Sequence, residues 1–150
     1  MRGVGATRHA GRMSHFSRLS RIVVDTPADA HDAEIAFWGG AIGRPFVPAT
    51  EYPEYSWAPL PGEGNAMLVQ RLGDGRPRVH LDIHATDRAA EVARLRRLGA
   101  TVVSDDGDWT IMRDPAGLVF CVVPDPTLNE TNATAWPDTP HEQDATTAPR

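Results

Sequence analysis

The stretch HLDIHATDRAAEVARLRRLGATVVSDDGDWTIMRDPAGLVFCVV, residues 80–123, decides the fold. Its opening alternates polar and apolar residues, so His80, Asp82 and His84 share one face of a strand while Leu81, Ile83 and Ala85 share the other. The apolar set is expected to pack under a helix. Thr86 stands where a helix cap belongs, and Ala89, Val92, Ala93 and Leu95 recur at helical spacing until Gly99 ends the pattern. Three short strands should follow at 101–104, 109–113 and 118–124. Asp114-Pro115-Ala116-Gly117 supplies the tight turn before the last of them.

Working outward, residues 19–72 repeat this order in weaker form. A β-branched strand over 19–25 ends at Thr26-Pro27. Thr26 can cap a helix whose first position is Pro27, where the missing N–H costs nothing. That helix is expected to run to Gly39 or Gly40, with strands near 45–47, 52–57 and 65–71. The chain therefore reads as two βαβββ modules, about 19–72 and 78–124, in one domain over 18–125. The flanks differ in composition. Residues 1–17 are basic, and residues 126–150 mix proline with Thr, Asn, Ala and acids, so both are expected to be disordered. Neither a signal peptide nor a membrane span is indicated, for want of a long enough apolar run.

Fifteen basic against twenty acidic residues leave a net charge of −5, which argues against nucleic acid as a partner. Arg88, Glu91, Arg94 and Arg97 of the second helix stay polar, and its arginines read as a solvated face. Every basic residue is arginine, so a Schiff base through a lysine of this chain is excluded. The single Cys121 rules out a disulfide within the chain and fits a reducing cytoplasm. Arginine-only usage with abundant Ala, Gly and Pro suggests a bacterial, GC-rich source.

DTP with the following AFWGGAIG, RVHLDIHATD with RLRRLGATVV, and RDPAGLVFCVV together resemble the vicinal oxygen chelate (VOC) superfamily, in its glyoxalase, bleomycin resistance and dioxygenase group. The resemblance covers about residues 18–125. It implies an α+β fold in which the two modules form a curved mixed sheet around a small-molecule cavity, and it implies a homodimer. His80, Asp82 and His84 then look into the cavity, with His80 and Asp82 as candidate catalytic residues. His84, Tyr55, Trp57, Trp109 and Cys121 are expected to line the ligand site, and Phe46 to join its aromatic rim.

The resemblance also implies a divalent metal held by His, Glu or Gln side chains from the first and last strands of each module. His80 occupies a position where metal-binding members carry histidine, and Gln70 offers an oxygen from the last strand of the first module. Cys121 falls where metal-dependent relatives carry glutamate. The first strand offers Arg18, Ser20 or Arg21, and guanidinium has no free lone pair. The metal site therefore reads as degenerate. Cys121 itself is read either as a cavity thiol poised by histidine or as a small buried hydrophobe. The function expected is that of a glyoxalase-like protein binding a small organic metabolite or antibiotic-like compound, with lyase- or isomerase-type activity. Two alternatives stay open: a metal-dependent lyase or dioxygenase, and a non-catalytic drug-sequestering protein.

Overall fold

The first strand runs further than the module pattern suggests, with His15 and Ser17 buried along its added length. The computed structural model describes residues 13–138, and strand β1 runs from Met13 to Pro27 as the axis of the sheet. Helix α1 (His31–Ile42), β2 (Val47–Pro48), β3 (Tyr55–Pro59) and β4 (Ala66–Leu72) complete the first module. The second holds β5 (Arg78–Ala85), α2 (Arg88–Arg97), β6 (Thr101–Asp105), β7 (Thr110–Arg113) and β8 (Val119–Pro124). A further strand, β9 (Thr134–Pro137), pairs with the start of β1. The strand order is β2-β3-β4-β1-β5-β8-β7-β6, a mixed and unclosed sheet in an α+β fold, as expected. β1 joins the modules, parallel to β4 and antiparallel to β5.

Each helix covers one half of the same sheet face. Val24, Met67 and Val69 pack against Ile35, Trp38 and Ile42 of α1, and Ala85, Met112 and Val122 pack against Leu95 and Val92 of α2. Phe46 belongs to the first of these clusters, so it is a core residue and not part of a cavity rim. Between the helices the face is bare. Val79 is 60% and Leu81 40% exposed, which corrects the expectation that the whole apolar row of β5 packs under a helix.

Local capping also differs from expectation. Thr26 and Pro27 close β1, and Ala30 precedes α1 without a side-chain cap. Gly39 and Gly40 lie inside α1, which ends at Gly43 with φ +66°. In the second module Asp87 caps α2 by accepting from the Ala90 N–H at 2.9 Å, while Thr86 Oγ1 accepts from the Phe16 N–H. A long-range bond has taken the threonine. The Asp114 turn forms as read, its carboxylate accepting from the N–H groups of Ala116 and Leu118, with Gly117 at φ +95°.

The flanks are ordered over part of their length. Residues 13–17 extend β1, and residues 126–138 return across it, burying Leu128 and ending in β9. This corrects the expected disorder of 1–17 and 126–150 for those segments; residues 1–12 and 139–150 lie outside the described residues. The cause is polar. Glu91, which falls among the polar residues of α2, is fully buried. Its carboxylate lies 2.6 Å from His15 Nε2, and it accepts from Ser17 Oγ at 3.0 Å and from Arg94 at 2.7 and 2.8 Å. Trp136 Nε1 donates to Ser17 Oγ, and the Arg94 guanidinium lies 3.8 Å from the centroid of the Trp136 ring.

Candidate functional site

Strand alternation leaves the face away from the helices to polar side chains. In the β5–β8 pair Asp82 stands beside Cys121, and His84 beside Val123. His80, two residues before Asp82, shares its face. These side chains form the floor of a cleft of about 520 Å³. Tyr55, on β3, and Trp109, at the β6–β7 turn, wall it together with Tyr52. Tyr52 packs edge-on against both, at centroid separations of 6.3 Å to Tyr55 and 5.9 Å to Trp109.

Asp25, at the end of β1, orients the central histidine. Its Oδ2 lies 2.8 Å from His80 Nδ1 and 3.3 Å from Arg78 Nε, and the residue is only 2% exposed. His80 Nε2 is thereby aimed at Asp82, whose Oδ1 lies 3.4 Å away without forming a hydrogen bond. Burial alone would lower the His80 pKa. The hydrogen bond to Asp25 and the neighbouring Asp82 carboxylate outweigh it and push the value up to about 11, so the ring is an imidazolium at neutral pH.

The other groups are tuned differently. Burial lowers the His84 pKa despite its 2.9 Å contact with Asp125 Oδ2, so this ring is neutral and directs Nδ1–H at the carboxylate. Burial also raises the Tyr55 phenol, reinforced by the nearby Asp82 carboxylate, and keeps it an O–H donor. Arg21 reaches the cleft while donating to the backbone carbonyls of Ser20 and Gly64.

Six expected site residues, His80, Asp82, His84, Tyr55, Trp109 and Cys121, therefore meet in one cleft. Two do not. Trp57 is 41% exposed and lines an adjoining hollow with Leu68. Gln70, paired with Asp25 and Tyr55 in register, does not line the cleft. Sequence reasoning misses Arg21 and Tyr52 in the cleft and Asp25 behind His80. Alternation from Arg21 through Val23 to Asp25 was the available signal, but it needs the β1–β5 register to become meaningful.

His80, Asp82 and Cys121 also offer one ligand atom each within 4.8 Å of one another. A thiol and an imidazole do not suit Mg²⁺, Mn²⁺ or Ca²⁺, which prefer oxygen; they suit a borderline ion such as Zn²⁺.

Comparison with known proteins agrees with this architecture. Methylmalonyl-CoA epimerase from Mycobacterium tuberculosis superposes with a TM-score of 0.50 at 18% identity, over 72% of this chain and 88% of that one. A variant of the Streptomyces coelicolor methylmalonyl-CoA epimerase, in complex with 2-nitronate-propionyl-CoA, gives 0.53 at 15% identity, over 77% and 99%. The 2,2',3-trihydroxybiphenyl 1,2-dioxygenase from Sphingomonas wittichii gives 0.51 at 12% identity, over 76% of this chain but 42% of that longer one. At these identities the likeness is one of fold. No protein of curated function matches the sequence. A family model described as a glyoxalase-like domain matches residues 21–123, which spans both modules and every side chain of the cleft floor. The chain therefore belongs to the glyoxalase-like domain family, within the VOC superfamily.

Proposed function

We propose that the protein binds a small organic metabolite or antibiotic-like compound in the concave cleft and acts on it by isomerase- or lyase-type proton transfer. The observation that carries this reading is the Asp25, His80, Asp82 line beneath an aromatic wall. It sets an imidazolium N–H beside a buried carboxylate oxygen that accepts no hydrogen bond. Such a pair can divide the work of moving a proton next to a carbonyl. Asp82 takes the proton from carbon, and the electron pair moves onto the carbonyl oxygen, where the His80 Nε2–H stabilises the developing charge. Return of the proton to the same or a neighbouring carbon completes an isomerisation. Expulsion of a leaving group instead completes an elimination. The fold by itself selects neither, since its neighbours include both an epimerase and a dioxygenase.

A thermal-shift screen against carbonyl-containing metabolites and antibiotics, run with and without chelator, tests the binding. At least one compound is expected to raise the melting temperature of the chain and to lose that effect in Asp82→Asn and Trp109→Ala, because a ligand bound only by the folded state stabilises it by mass action. Solvent-deuterium incorporation into the bound compound then separates turnover from sequestration. A library without a single stabilising compound would count against the reading.

The free Cys121 favours a reducing compartment. Among the described residues no helix is long and apolar enough to cross a membrane. We also propose a homodimer through the bare sheet face between the helices. Leu19, Val79, Leu81, Leu98 and Leu118 are 40–70% exposed there and line one groove of about 750 Å³. Sedimentation is expected to give about twice the 16.3 kDa chain mass, and Leu81→Glu to return the protein to one chain mass. A wild-type protein that sediments as a single chain at micromolar concentration would remove the dimer.

A further inference from the structure

We propose that Cys121 is a nucleophile of the cleft, adding reversibly through Sγ to the β carbon of a planar α,β-unsaturated carbonyl compound and so interconverting its cis and trans isomers. The inference rests on the reading of that cleft as the reactive site, and it narrows the substrate class to conjugated carbonyl compounds.

Placement of the thiol is the first support. Cys121 is buried yet belongs to neither apolar cluster, because alternation along β8 gives Val122 to the α2 core and Cys121 to the opposite face. There it lines the cleft beside Asp82. Its Sγ, a His80 ring nitrogen and an Asp82 carboxylate oxygen lie within 4.8 Å of one another. The second support is the carboxylate itself. Asp82 is 8% exposed, yet its Oδ1, 3.4 Å from His80 Nε2, accepts no hydrogen bond. A buried oxygen without a donor is costly, and a proton arriving from the thiol would satisfy it.

The step balances without a further reactant. As Sγ bonds to the β carbon, Asp82 takes the thiol proton and the double-bond pair shifts onto the carbonyl oxygen, giving a thioether enolate. His80, held by the 2.8 Å contact of its Nδ1 with Asp25, supplies the Nε2–H donor for the oxygen where that charge develops. The former double bond is now single and turns. Collapse of the enolate then expels Sγ, Asp82 returns the proton to sulfur, and the compound leaves as its geometric isomer. Nothing is oxidised or reduced, and no group of the chain is consumed. The aromatic surface of Tyr52, Tyr55 and Trp109 suits such a compound, which is flat along its conjugated length.

cis-Chalcone is a direct probe, because this aryl enone has no enolisable hydrogen and proton transfer at carbon cannot isomerise it. In the dark and with chelator present, the full-length protein is expected to convert it to trans-chalcone at least about 10-fold faster than an equal concentration of free cysteine, since the cleft holds thiol and enone together. Cys121 is the only cysteine in the chain, so Cys121→Ser should abolish the conversion. Asp82→Asn should slow it about 100-fold, the lower end of what a positioned base contributes. Circular dichroism confirms that each variant is folded, and the comparison with free cysteine decides even where a variant unfolds. A wild-type rate no faster than free cysteine, conversion that survives in Cys121→Ser, or an Asp82→Asn rate equal to wild type would overturn the nucleophile. Dihydrochalcone, the saturated and enolisable analogue, separates this step from the proposed function. Its exchange of hydrogen for solvent deuterium on the protein, with no conversion of cis-chalcone, would overturn the nucleophile and uphold proton transfer. Conversion of cis-chalcone, with no carbonyl compound exchanging deuterium, would uphold the nucleophile and sink proton transfer.

Discussion

Replacing His80 by alanine is expected to destabilise the protein by about 3 to 5 kcal/mol, the cost of removing one partner from a buried charge cluster. The ring lies between two carboxylates, with its side chain 12% exposed. Its loss leaves Asp25 with only the longer Arg78 contact and leaves Asp82 facing no cation on that side. Leu81→Ala should cost well under the about 2 to 5 kcal/mol of a fully buried leucine, because Leu81 is 40% exposed. The alternation of HLDIH by itself suggests the opposite ranking.

The pH dependence separates a charged His80 from a merely packed one. Its folded-state pKa, about 11, lies above the ordinary 6.5, so the stabilisation from its proton is fully present below 6.5 and is lost as pH rises through about 11. Urea unfolding at intervals from pH 6 to 10.5 should show the gap between wild type and His80→Ala shrinking steadily across that window. A gap that is small at pH 7, or equal at both ends, would mean that the ring fills space without bridging the carboxylates.

These effects mark what the sequence makes legible. Periodicity of two put His80, Asp82 and His84 on one face, and the Asp114 turn followed from local chemistry, because both signals lie within a few residues. Asp25 is 55 positions from His80, and nothing in the local pattern of DTP distinguishes a strand-end carboxylate from a helix-initiating one. The same limit explains Thr86. Its hydroxyl could cap a helix or meet another strand, and only the position of Phe16 decides. Cys121 was readable as a buried hydrophobe, which its 9% exposure satisfies, but the strand pairing also sets it beside Asp82. Which residues face inward was largely local information. Which of them touch depended on register.

Glu91 is the second position where a large effect is expected, and helical spacing sets it among the polar residues of α2 without showing that it is buried. Glu91→Ala should cost about 3 to 5 kcal/mol, because it strips the buried partner from both Arg94 and His15. The loss should be felt most where the terminal strands meet α2, since Ser17 and Trp136 are held through the same carboxylate and arginine. Amide exchange in β9 and in the first turns of β1 should therefore accelerate before exchange in β4 or β8. Burial by itself would raise the Glu91 pKa, but hydrogen bonds from Arg94, His15 and Ser17 prevail and hold it below the ordinary 4.5. Its contribution is thus present above pH 4.5 and lost as pH falls through the lowered folded value, so the gap to Glu91→Gln should be flat from pH 7 to about 5 and close under stronger acid. Truncation after Pro126 removes the buried Leu128 and the Trp136 contact together and should cost more than about 1 kcal/mol. A truncated chain as stable as the whole would show that β9 rests on the sheet without holding it. Loss of stability on truncation but not in Glu91→Ala would assign the docking to Leu128 rather than to the buried carboxylate.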